Sequence, residues 1–399
     1  MSAISATSTT GAVADIVKQF RANLRTYGLV IATVVIWVFF FAVTNGEYLG
    51  PQNFSNLFRQ MSVTAILSVG MVLIIVTGNI DLSVGNFAGF ISVVVAKLQN
   101  DVWRIVLPDQ QLLAAVLSVL IGLAVGILFG VLQASVIAYM RVPAFIVTLG
   151  GMWVFKGALL IVTEGKTIAA NQPYFSEIGQ GYLPPLVGWV VAVGVAVLLF
   201  YTMFSGRQKR RQYGFEIGSI YSDLLKTILL VGVLVAYVFY VNQYNGIQIP
   251  VLILAVVAVV VTYVSNNTRF GRYAYAIGGN REATRLSGVN INNNIFMIFV
   301  LMGFLCGISG IALASYVGYG TIAAGNGYEL VAIAACFLGG ASPAGGEGTI
   351  FGAMIGALIM ASLTNGLQIM NFPAAWQYVV QGIILVLAVL GDVYLKRNR

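Results

Sequence analysis

Charge confinement is the feature that most limits how this chain can fold. Twelve apolar blocks, at 27–44, 61–77, 82–98, 111–139, 144–163, 185–204, 225–241, 248–265, 293–318, 328–341, 349–370 and 374–394, follow one another with few charges inside them. Several are long enough to cross the ~30 Å of hydrocarbon in a bilayer. Only 9% of the 399 residues are charged, against ~25% in an ordinary soluble domain, so the chain cannot cover a water-facing surface. In lipid, backbone groups must bond within their own segment, which selects helices. The expected fold is an all-α polytopic membrane protein.

The net charge of +8 reports topology. Of 21 Lys and Arg, fourteen fall in four clusters at 18–25, 207–211, 269–285 and 396–399. Each flanks or separates apolar blocks, as cytoplasmic segments do. An even number of spans must therefore separate the clusters. Twelve transmembrane helices satisfy this, and ten do so if the 61–98 stretch and the 328–341 block are partly half-helices. The expected layout is a cytoplasmic tail at 1–26, a first transmembrane half at 27–204 and a cytoplasmic loop at 205–224. A second half at 225–394 follows, with a charged loop at 266–292, and the chain ends in the cytoplasm at 395–399. Asn45-Gly46-Glu47-Tyr48 offers no small-residue cleavage site, so the first span is expected to stay.

Several chemistries are excluded. Histidine is absent, which removes the commonest metal ligand and general base. Cys306 and Cys336 sit inside apolar runs, a poor setting for a disulfide framework or a metal site. Gly165-Lys166-Thr167 looks like the end of a phosphate-binding loop, but the first glycine of that motif would fall on Leu160. Gly318-Tyr319-Gly320-Thr321-Ile322-Ala323 likewise lacks the strand and helix that a dinucleotide fingerprint needs. No ATPase, cofactor site or catalytic residue is expected in this chain.

A weak internal repeat appears at an offset of 230 residues. Gly122, Gly126, Leu128, Met140, Pro143 and Ala144 match Gly352, Gly356, Leu358, Met370, Pro373 and Ala374, six identities in 23 positions. The span count puts Pro143 and Pro373 on opposite sides, so the repeat would be inverted, as in many transporters. Close helix contact alone also explains a recurring Gly-x-x-x-Gly.

Three regions could carry function. Asp81 is the only acid between Glu47 and Asp101. An acid in a membrane segment costs ~2.5–3.5 kcal/mol on insertion scales, so Asp81 is read as a helix cap, a functional group, or both. The loop around 270–288 reads as a short helix with its own punctuation. Gly278-Gly279 breaks the chain, Asn280 caps, Glu282 complements the dipole and Gly288 suits the left-handed position after the end. Ala283 and Leu286 share one face, and so short a helix needs a partner, so a docking element is expected. The run Leu338 to Gly348 reads as a loop or an unwound segment between half-helices. In the late spans, Asn365, Gln368, Trp376, Gln377 and Gln381 suit a neutral hydroxylated solute, and suit interhelical hydrogen bonds equally well.

Four stretches carry a resemblance: 80–85 (Ile-Asp-Leu-Ser-Val-Gly), 143–150 (Pro-Ala-Phe-Ile-Val-Thr-Leu-Gly), 276–288 and 338–348. In order from about Leu49 to the C-terminus, the chain resembles bacterial ABC transporter permeases of the ribose/xylose type, and looks closest to the xylose branch. Asn79 departs from the residue more usual there. The resemblance implies an inner-membrane subunit of an ATP-driven monosaccharide importer, with xylose as the expected sugar. It implies a second copy of the chain, a periplasmic sugar-binding protein and an ATP-binding subunit as partners, with no nucleic acid. It assigns ATPase coupling to Gly278, Gly279, Asn280, Arg281, Glu282, Ala283, Arg285, Leu286 and Gly288. Translocation or gating is expected of Asp81, Ser83, Asn365 and Gln368. The alternative is an ion-coupled secondary transporter acting without an ATPase.

Overall fold

A computed structural model describes residues 24–215 and 219–397. Lys18 and Arg21 of the expected cytoplasmic tail, and Arg399, lie outside the described residues.

Among the described residues, eight helices are long and apolar enough to cross a bilayer, namely α2 (Pro51–Val76), α4 (Gln111–Ala138), α5 (Ala144–Thr163), α7 (Pro185–Gln212), α8 (Ile220–Val241), α9 (Ile249–Asn267), α12 (Ile291–Val317) and α14 (Ile350–Ile369); α1 (Leu24–Val43) and α15 (Ala374–Arg397) match them in length. Two others, α3 (Val84–Lys97) and α13 (Tyr328–Leu338), have 14 and 11 residues. At 1.5 Å per residue they are about 21 and 16 Å long, half a membrane. Short helices α6 (Pro173–Gln180), α10 (Arg269–Gly279) and α11 (Arg281–Leu286) lie between spans. By length alone these ten helices match the lower of the two expected counts, and the two half-length helices fall in the stretches 61–98 and 328–341.

Local sequence explains most of the boundaries. Pro51 and Pro185 open α2 and α7, where a missing N–H costs nothing. Helix α7 runs on to Gln212 through Lys209, Arg210 and Arg211, so the connection to α8 is shorter than the expected 205–224 loop. Basic residues at a helix C-terminus favour the dipole and extend the helix into the headgroup region. Arg207 also pairs with Asp223 of α8.

The fold has two chemically distinct ends. At one lie Arg141, Arg207 to Arg211, Arg269, Arg272, Arg281 and Arg285, with Asp223 and Glu282 paired among them; at the other lie Glu47, Asp101, Asp109, Glu164 and Glu177, with fewer cations, Lys97, Arg104 and Lys166, beside them. Two antiparallel two-stranded clips close the acidic end. β1 (Ile168–Ala169) pairs with β4 (Tyr319–Gly320), and β2 (Tyr182–Leu183) pairs with β3 (Ile247–Gln248). In the centre, α2 is buried throughout Met61 to Val76, enclosed by α9, α12, α13 and α14. Phe87 of α3 and Phe155 of α5 stack with ring centroids 4.2 Å apart, and Phe129 of α4 meets both edge-on. Outside, Val190, Val193 and Val197 of α7 and Leu229, Leu230 and Val233 of α8 stand exposed, a face that suits lipid and not water.

Glycines set the tightest helix contacts. A Cβ on Gly126 of α4 would lie 2.5 Å from the carbonyl oxygen of Gly303 and 3.1 Å from Cα of Gly307, both in α12. Gly352 and Gly356 of α14 press instead on the backbone of Gly339 and Ala335. The two Gly-x-x-x-Gly motifs thus both serve close packing, against different neighbours. A second likeness between the halves lies in the turns. Arg141 and Asn371, 230 residues apart, both take left-handed backbone with φ of 59° and 56°, each two residues before a proline that starts the next helix.

Candidate functional site

The basic end carries a built surface. Thr268 Oγ1 accepts from the Gly271 N–H to start α10, and Asn294 of α12 donates to the Phe270 carbonyl at 3.0 Å. Helix α10 continues through Gly278 and Gly279, so those glycines do not break the chain as expected; the break falls at Asn280. Gly278 is needed for another reason. A Cβ there would strike the Val76 carbonyl and the Gly346 N–H, which are themselves hydrogen-bonded at 2.8 Å. The end of α10, the end of α2 and the 342–348 loop thereby meet backbone to backbone. Tyr275 adds a bond from its hydroxyl to the Gly348 carbonyl at 2.8 Å.

Beyond this junction stands α11. Asn280 Oδ1 accepts from the Ala283 N–H at 2.9 Å, satisfying one of the free donors of the first turn. Gly288 takes φ of +81° after the last turn, conformation open to glycine at little cost. Thr284 is the one buried residue of the helix. Arg281, Glu282, Ala283, Arg285 and Leu286 are exposed, and Leu286 is 77% exposed. Arg285 Nη2 lies 2.6 Å from Glu282 Oε1, and this hydrogen bond holds the Glu282 carboxyl below its ordinary pKa. Beside α11 opens a cavity of about 880 Å³. Its wall includes Arg141, Arg281, Arg285, Asn79 and Asn290, and no acid.

Asp81 lies in the break between α2 and α3 and is 2% exposed. It does not cap α3 directly. Its Oδ1 accepts from the Ser83 N–H at 2.8 Å and the Ser83 hydroxyl at 2.6 Å, an Asx-type turn made two residues on. Gln133 of α4 donates to the same hydroxyl at 3.2 Å, so Asp81, Ser83 and Gln133 pin the half-helix to its neighbour. Asp81→Ala is expected to lower thermal stability by about 1–3 kcal/mol, because it leaves buried Ser83 donors unpaired. Asp81→Asn keeps an acceptor and is expected to lose less; melting curves of the two purified variants check the order.

A second buried acid escaped the sequence reading. Glu329, in the first turn of α13, is 7% exposed, and its Oε2 has no hydrogen-bond partner. A Cβ on Gly85, at the start of α3, would collide with that oxygen. The signal was available: like Asp81, Glu329 is a lone acid opening an apolar run. Nearby, Lys156 of α5 donates to the Ile322 carbonyl at 2.7 Å.

The late-span amides divide. Asn365 is 6% exposed and exchanges hydrogen bonds with Asn53 at 2.9 and 3.1 Å, holding α14 to the start of α2. Gln368 accepts from Gln60 at 3.3 Å on the wall of a second cavity. Asp81 and Ser83 follow the basic end of α2, while Asn365 meets its other end, about 35 Å away along the helix. The four residues therefore do not form one site. Cys306 and Cys336 are buried and separate, bonded weakly to the Val84 and Ser68 carbonyls.

Comparison with known proteins adds kinship to this geometry. The chain is 41% identical over 377 residues to the xylose transport system permease protein of Haemophilus influenzae, covering 94% of this chain and 98% of the relative. It is 40% identical over 378 residues to the xylose transport system permease protein of Escherichia coli K12, covering 94% and 93%. The ribose import permease protein of Escherichia coli K12 is 33% identical over 340 residues, 85% of each chain. No solved structure matches the chain. The model of the branched-chain amino acid transport system / permease component family matches residues 53–389, and the chain belongs to that family.

Proposed function

We propose that this protein is the membrane-crossing subunit of an ATP-driven importer for a pentose, with xylose as the substrate. ATP is hydrolysed on a partner chain, and a periplasmic binding protein delivers the sugar. The observation that carries this reading is α11: a capped, solvent-facing helix with an uncovered leucine, beside an acid-free basic cavity. A helix of six residues needs a partner to matter, and this one is wired through Gly278 to the Val76 end of α2 and to the 342–348 loop. Closure of the ATPase partner would push α11, move that junction, and tilt α2 against α12 and α13. Kinship with xylose permeases supports the substrate.

On this reading the basic end is cytoplasmic, both termini lie inside, and two copies of the chain flank the pathway in a bacterial inner membrane. The sets α2–α5 and α12–α15 form an inverted repeat. Each runs long, half-length, long, long, and the matching left-handed turns at Arg141 and Asn371 support the pairing. Proteoliposomes test the whole. Xylose uptake is expected only with the binding protein, the ATP-binding partner and ATP together. Uptake by this chain alone, driven by an ion gradient, would falsify it and make Glu329 and Asp81 the coupling candidates.

A further inference from the structure

We infer that the second cavity is a binding station for a neutral monosaccharide on its way through the membrane. This deepens the transport reading and rests on it. The cavity, about 210 Å³, lies between α2, the approach to α13, α14 and α15. It is smaller than the ~300–1,000 Å³ of sites for drug-sized ligands, which suits a solute of pentose size.

Its chemistry is selective. Five amides face it from four separate segments: Gln60, Asn326, Gln368, Gln377 and Gln381. An amide offers both donors and an acceptor, as each sugar hydroxyl does. No charged residue lines the cavity. An amino acid would carry an ammonium and a carboxylate into it without a counter-charge, and desolvating unpaired charge is costly. The lining therefore favours an uncharged polyol over the amino acids in the family's description. Tyr328 and Tyr378 complete the wall, giving ring faces for the C–H side of a pyranose.

The hydrogen bonds already made leave capacity. Gln381 donates to Thr364 at 2.9 Å and Gln377 donates to the Phe372 carbonyl at 3.0 Å, bonds that use the amide nitrogens and leave the acceptor capacity of the amide oxygens. The 3.3 Å bond from Gln60 to Gln368 is long enough to yield to a hydroxyl between them. Placement also fits. Gln60 lies in the first half of α2, counted from the acidic end, and Asn326 sits just before the half-helix α13. A sugar entering from the acidic side meets this wall before the closed centre.

Two measurements on the full chain test it. Saturation-transfer NMR on the permease in nanodiscs, without partners, is expected to show contact with D-xylose and none with L-leucine. Gln381→Leu is expected to reduce the xylose signal at least fivefold. In the complete importer the same change should raise half-saturating xylose about tenfold, as loss of one hydrogen bond does. It should also erase discrimination against one monodeoxy-xylose, which a merely destabilised protein would not do. Gln377→Leu provides an independent wall residue should Gln381→Leu fail to fold. Unchanged signal and uptake in both variants, or an equal leucine signal, overturns the station while leaving the importer standing. If the unaltered importer moves no pentose, the transport reading fails and the station with it.

Discussion

Changing Leu286 to serine is expected to cut ATP-dependent uptake about thirtyfold while the purified protein melts at an unchanged temperature. Leu286 is 77% exposed on a helix that buries only Thr284, so its removal costs the folded chain almost nothing. Exposed surface changes usually stay within about 0.5 kcal/mol. A large apolar anchor at the centre of a docking surface is different, and truncating one costs about 2 kcal/mol of association, roughly thirtyfold. The check is twofold: pull-down of the ATP-binding partner, and sugar uptake at fixed partner concentration. A variant that docks and transports normally would show that α11 is not the contact.

The second large effect lies in the packing of α4 on α12. Gly126→Ala puts a Cβ 2.5 Å from the Gly303 carbonyl oxygen, where carbon and oxygen ordinarily stay ~3.3 Å or more apart. Both neighbours are backbone, so no side chain can swing away and the helices must separate. The expected cost is about 1–3 kcal/mol or more, in a bundle whose helices associate through close contact rather than a hydrophobic drive. Gly232→Ala is the control. Gly232 lies in α8 with nothing within 4 Å of the added carbon, and there alanine improves helix propensity by up to about 1 kcal/mol. Melting in detergent should separate the two clearly; equal stability would mean that α4 and α12 are not locked at the glycines.

The short helix α11 was legible because its signals are local. Asn280 and Gly288 act within three or four residues of their own backbone, and the structure makes the Asn280 cap bond and the left-handed Gly288 as the punctuation implied. Gly278-Gly279 was misread as a break for the opposite reason. The meaning of Gly278 lies in Val76 and Gly346, one of them some 200 residues away in the chain, and a glycine kept for close approach looks like a glycine kept for a turn. Asp81 was singled out as an expensive residue near a helix start, but its partner, Ser83, and the tie to Gln133 came only with the fold. Glu329 carries the same local signature and was passed over.

Hydropathy and charge alone determined that the chain crosses a membrane as a bundle of helices and that one end is basic. They also determined that a short capped helix stands at that end. These follow from desolvation and from caps, which act on each segment separately. Tertiary structure decided which polar groups face one another. Asn365 is held by Asn53 and Gln368 meets Gln60, pairs more than 300 residues apart in sequence. It also decided how α3 and α13 meet, with the Gly85 carbonyl at the start of α3 pressed on Gly325 just before α13. Partners so distant are chosen by how whole helices pack, a sum over many weak contacts that no local pattern encodes.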